Sequence, residues 1–66
     1  MKNNVKALRT ALQLTQQDLA DAIAVSRQTI FAIETGKYIP STILALKISK
    51  VLKTPVENIF ILEEGD

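Results

Sequence analysis

Apolar side chains return every three or four positions through most of this 66-residue chain, and the breaks in that rhythm divide it into five segments. Val5, Leu8 and Leu12 form the first stripe. It predicts a helix over residues 4–13, capped by Asn3 or Asn4, with Leu14 sealing the corner that follows. Leu19, Ala20 and Ile23 mark a second helix, and Thr15 with Asp18 three residues on has the spacing of a capping box. Beyond Ala24 and Val25, Ser26 is the next capping hydroxyl. Ile30 and Ile33 then give a third helix its inward stripe, closed by Gly36 as a left-handed C-terminal residue. Pro40 and Ser41 open a fourth helix that runs to about Lys53. Leu44, Ala45, Ile48, Val51 and Leu52 form its buried side, and Lys47, Lys50 and Lys53 lie toward water. In Thr54-Pro55-Val56-Glu57 a capping hydroxyl, a first-position proline and a box-completing glutamate predict a short fifth helix over about 55–60, anchored in the core by Phe60. Ile61 and Leu62 carry the apolar pattern into the tail as a short strand or extended end.

The third segment is dressed differently from an ordinary surface helix. At about 100° per residue, inward Ile30 and Ile33 leave Arg27, Gln28, Phe31, Ala32 and Thr35 on the opposite arc. A solvated helix fills that arc with Lys and Glu. Here it holds a forked guanidinium, a side-chain amide and an aromatic ring. Arg suits guanine, Gln suits adenine, and an apolar group suits the thymine methyl. Two helices joined by a two-residue turn, the second polar and outward at its N-terminal half, match a helix-turn-helix over about residues 15–35. Gln16 and Gln17 fall in the first turn of the second helix, where free N–H groups and the helix dipole favour a phosphate. Lys37 and Tyr38, in the loop after Gly36, suit phosphate contact as well, and Thr29, at the side of the arc, suits backbone contact better than base contact.

In the order VKALRTALQLTQQDLA, VSRQTI, IETGKYIPS, ALKISKVL and TPVENIF, nearly the whole chain resembles the lambda-repressor and Xre-type helix-turn-helix transcription regulators. The resemblance implies an all-α, five-helix lambda-repressor-like DNA-binding domain that occupies residues 1–66 as a single unit. It also implies that Arg9 pairs with Glu34 as a structural, partly buried ion pair, and that Gln16 braces the DNA backbone. Ala24 departs from the family, which usually has glycine there for a left-handed turn. Alanine in that conformation costs on the order of 1 kcal/mol. Phe31 departs too, since many relatives carry a small polar residue at that point. Two readings stand for it: contact with a thymine methyl, or packing against Tyr38 or another neighbour. Ile43 stands where relatives often carry a charge, which predicts that it is exposed near Ile39.

Composition narrows the alternatives. Hydrophobic residues make up 47% of the chain, enough for a core, but aromatics only 5%, so that core is aliphatic. No cysteine and no histidine are present, which removes disulfides, thiol nucleophiles and the usual zinc ligands. No carboxylate pair in a plausible pocket remains to run acid–base chemistry, so no enzyme, metal or cofactor is expected. No apolar run reaches the roughly 20 residues of a membrane span, and no signal-peptide layout opens the chain, so a cytoplasmic protein is expected, with no membrane and no small-molecule effector among its partners. Net charge is only +1, but eight basic against three acidic side chains give +5 over residues 1–53, and Glu57, Glu63, Glu64 and Asp66 give −4 in the tail. A basic body of this kind can still face phosphates.

One reading helix selects too few base pairs to single out a genomic site. A homodimer on a palindromic operator, with helices in successive major grooves about 34 Å apart, is therefore expected. The pairing surface is placed in the C-terminal region, about residues 55–66, at Val56, Ile59 and Ile61; the alternative is that these belong to an edge of the core. The leading expectation is a sequence-specific double-stranded DNA-binding regulator, acting as a repressor. The alternative is an antitoxin-like or other protein-interaction module that also binds DNA, although 66 residues leave little room for a second binding segment.

Overall fold

The computed structural model describes residues 1–66, and its order of elements is β1 (Lys2–Asn3), α1 (Val5–Ala11), α2 (Gln16–Ile23), α3 (Arg27–Glu34), α4 (Thr42–Leu52), α5 (Val56–Ile59) and β2 (Phe60–Ile61). Nine aliphatic side chains form one core: Val5, Leu19, Ala20, Ile23, Ile30, Ile33, Ile48, Leu52 and Ile59. Every helix contributes at least one of them, so no helix can leave without opening the centre. Leu8, Val25, Leu44, Val51 and Phe60 pack around this nucleus, half-buried.

Local chemistry sets the helix boundaries. At α2 the Thr15 hydroxyl accepts from the Asp18 N–H at 3.0 Å, and the Asp18 carboxylate accepts from the Thr15 N–H at 2.9 Å, completing the capping box. Ser26 caps α3 by accepting from the Thr29 N–H, and Ser41 caps α4 by accepting from the Leu44 N–H, each at 3.2 Å. At the end of α3 the Gly36 N–H donates to the Ile33 carbonyl and the Lys37 N–H to the Ala32 carbonyl. With Gly36 at φ +77°, this is a Schellman closure.

Four expectations need correction. The first helix stops at Ala11, so Leu12 lies past its end and is 41% exposed instead of completing the inner stripe. Thr54 does not cap α5: its hydroxyl donates to the Leu52 carbonyl at 3.0 Å, Pro55 occupies the cap position, and no box with Glu57 forms. The core anchor of that segment is Ile59, with Phe60 already extended and only half-buried. Ile59 is thus wholly enclosed within its own chain and offers nothing to an interface, whereas Val56 stays half-buried and Ile61 is 37% exposed. A backbone link explains the placement: the Asn4 N–H donates to the Ile59 carbonyl at 2.8 Å, fastening the end of α5 beneath the start of α1.

The terminal strand expected near Ile61 is present as β2, and it has a partner that the hydrophobic pattern did not indicate. Lys2 and Asn3 form β1, antiparallel to β2 with Lys2 opposite Ile61 and Asn3 opposite Phe60. Two residues are too few to show alternation, which is why β1 left no signal in the sequence.

Candidate nucleic-acid interface

The short turn between α2 and α3 fixes how α3 is presented. Ala24 adopts the left-handed conformation, φ 60° and ψ 47°, and its N–H donates back to the Ala20 and Asp21 carbonyls. The Val25 N–H also donates to the Ala20 carbonyl, at 3.0 Å, so the chain reverses within two residues and Ser26 can restart it at once. With Ile30 and Ile33 in the core, Arg27, Gln28 and Phe31 stand on the outside, and Phe31 keeps 51% of its surface open. Ala32 is half-buried on the same side. Thr35 faces outward, but its hydroxyl donates to the Phe31 carbonyl at 2.9 Å.

Beneath that face lies a saturated polar cluster. Glu34 accepts from Arg9 Nε at 2.7 Å and from Arg9 Nη2 at 3.2 Å, while Gln16 Nε2 donates to the same carboxylate at 3.1 Å. The third arm of the guanidinium, Nη1, donates to the Leu14 carbonyl at 2.8 Å. Both charged side chains are nearly enclosed, at 10% and 4% exposure. The carboxylate on α3 is thus turned inward and neutralised. The first turn of α3 holds no acid, so the outward face carries only the Arg27 charge.

Two open depressions gather the remaining candidates. One, of about 470 Å³, has Gln28, Thr29, Ala32 and Tyr38 around its wall, with Ser26 and Leu44 beside them. The other, of about 480 Å³, brings Gln16, Gln17 and Arg27 together with Thr10, Gln13 and Thr15. Lys37 and Tyr38 are exposed in the loop after α3. Three candidates are less free than their sequence positions suggest. Gln16 is held by Glu34, Gln17 Nε2 donates to Asp21 Oδ1 at 2.8 Å, and the Thr29 hydroxyl lies 3.0 Å from that of Ser26. Thr10 and Gln13 were not expected beside Arg27. Gln13 comes there through a left-handed backbone, φ 60°, at the end of α1, which its side chain does not encode.

The capping carboxylate of Asp18 titrates below its usual 3.8, because the Thr15 N–H and then the Thr15 hydroxyl bond its charged form. No group of three or more acidic side chains is placed to hold a metal ion, and no helix is long and apolar enough to cross a membrane.

Comparison with known proteins agrees with this geometry. A helix-turn-helix family model matches residues 5–59. An uncharacterized HTH-type transcriptional regulator of Methanocaldococcus jannaschii is 53% identical over 66 residues, covering all of both chains. A second, YgzD of Bacillus subtilis, is 48% identical over 64 residues and 97% of each. Among solved structures, the restriction-modification controller protein C.AhdI from Aeromonas hydrophila superposes with a TM-score of 0.77 at 28% identity, over 85% of each chain. The outward α3, the capped α2 that carries it and the match along nearly the whole chain lead to one conclusion: this protein belongs to the Xre and lambda-repressor-like helix-turn-helix family of transcriptional regulators.

Proposed function

We propose that this chain is a sequence-specific double-stranded DNA-binding repressor that works as a homodimer on a palindromic operator. The recognition helix, residues 27–35, enters the major groove. One observation carries the reading: α3 keeps Arg27, Gln28 and Phe31 outside while its only carboxylate, Glu34, is turned inward onto Arg9. A face stripped of negative charge and furnished with a fork, an amide and a ring has the right chemistry for base edges. Arg27, Gln28, Phe31 and Ala32 are assigned to bases. Gln16, Gln17, Thr29, Lys37 and Tyr38 are assigned to the sugar–phosphate backbone. Because Gln16 is held by Glu34, its part is to hold the entry of α2 against a phosphate at a fixed angle to α3. The protein makes or breaks no covalent bond: it acts by occupying its site, in the cytoplasm where the DNA is.

Titration of selected and random duplexes at several salt concentrations tests this. The expected result is a steep negative slope of log affinity against log salt, with the selected duplex bound roughly 10³-fold or more above random. Equal binding to all duplexes at every salt concentration would refute sequence-specific recognition.

A further inference from the structure

Phe31 is the one large apolar side chain exposed on α3, with 51% of its surface open. It is neither among the nine core residues nor among the five that pack around them. Tyr38, a neighbour that could have covered it, lines the depression with Gln28 and Ala32, and Phe31 does not. The ring therefore stays outside the apolar interior. Its surroundings are polar. Arg27 is exposed one turn before it and Thr35 one turn after it, with the Thr35 hydroxyl already spent on the Phe31 carbonyl at 2.9 Å. A protein-docking patch gathers several large apolar side chains. This helix offers a single one.

In the major groove a hydrocarbon ring has one apolar partner on the base edges, the methyl group at C5 of a pyrimidine. Thymine carries it, and so does a cytosine methylated at C5. The two bases differ at the next ring position, where thymine has the O4 acceptor and cytosine the N4 donor. A ring without donors or acceptors does not register that difference. Gln28 tolerates either base as well, because its amide both donates and accepts. Glu34, the carboxylate that would select the cytosine amine, is turned inward onto Arg9. We infer that Phe31 reads the C5-methyl group of a pyrimidine, so that a 5-methylcytosine in the operator strengthens binding as a thymine does. Side chains four apart on a helix stand about 6 Å apart, less than two base steps of about 3.4 Å each. The methyl-bearing base thus falls within two base pairs of the base assigned to Arg27. The inference rests on the sequence-specific reading above and adds to it a response to a chemical mark that leaves base pairing unchanged.

Competition binding with a selected duplex tests it. Each thymine is replaced in turn by uracil, which removes only the methyl, and each cytosine in turn by 5-methylcytosine, which adds only the methyl. At one position of each half-site, uracil is expected to bind about 4-fold more weakly than thymine, the worth of one buried methyl. With a C·G pair at that position, 5-methylcytosine is expected to bind about 4-fold more tightly than cytosine. Phe31→Ala should bring both ratios to one, and Phe31→Leu, which keeps an apolar contact, should retain part of each. A wild-type chain indifferent to uracil and to 5-methylcytosine at every position overturns the inference and leaves sequence-specific binding standing. A loss with uracil but no gain with 5-methylcytosine confines the contact to thymine and overturns the response to methylation. Methyl ratios that survive Phe31→Ala assign the contact to another side chain and overturn the role of Phe31. A chain that selects no duplex over random overturns the sequence-specific reading and this inference together.

Discussion

Arg9 and Glu34 meet through two hydrogen bonds, Nε to Oε2 at 2.7 Å and Nη2 to Oε1 at 3.2 Å, and so lock the first helix to the end of the recognition helix. Both are almost excluded from water. Removing one partner strands the other charge in a poorly solvated site, so Arg9→Ala or Glu34→Ala should each lower stability by about 3–5 kcal/mol. Urea denaturation is the measurement. A double substitution by apolar residues should recover much of the loss, since it removes the stranded charge along with the pair.

Ala24 sits at φ 60°, a conformation in which a Cβ crowds the backbone. Ala24→Gly should therefore raise stability by about 1 kcal/mol. Gly36→Ala should lower it by about the same amount. At Gly36 an added Cβ meets nothing within 4 Å, so the cost there is conformational and not a clash. Thermal unfolding of the two variants side by side checks the opposite signs.

The proposed reading face predicts two kinds of binding defect. Arg27→Ala should relax preference at one base pair by about 1–3 kcal/mol, and Lys37→Ala should weaken every sequence alike and reduce the salt slope by about one. Phe31→Ala separates the two readings of that ring. A loss confined to operators with a thymine at one position supports the methyl contact, and a uniform loss supports packing. Competition with a panel of single-base operator variants resolves all three.

Asp18 links acidity to the entry of α2. Its native pKa lies below the usual 3.8, so the carboxylate stabilises the folded state fully above that value. The contribution is lost as pH falls from 3.8 through the lower native pKa. Asp18→Asn should remove this part of the acid sensitivity. Comparing unfolding of the two proteins between neutral and strongly acidic pH measures it.

Much of this molecule is written locally. The stripes at Leu19, Ala20 and Ile23 and at Ile30 and Ile33, the hydroxyl caps at Thr15, Ser26 and Ser41, and the left-handed Gly36 all depend on contacts within a turn or two of chain. Hence the second, third and fourth helices and the outward arc of α3 could be read from spacing. Two errors are local as well, at helix ends whose closure spacing alone does not fix. Leu12 fits the stripe of α1 but lies past its end, and Thr54 looks like a cap but bonds backward to Leu52.

Sequence by itself determined the aliphatic helical class, the two-residue turn and which side chains of α3 face outward, because periodicity and capping act over a few residues. Tertiary structure alone decided that Ile59 is interior while Leu46 is not, that Lys2 and Asn3 find Phe60 and Ile61, and that Gln16 spends its amide on Glu34. Each of these joins parts of the chain far apart in sequence, or turns on which of several similar apolar residues the other helices cover. Hydrophobic burial is non-directional, so a pattern of apolar positions says that something must be covered without saying by what.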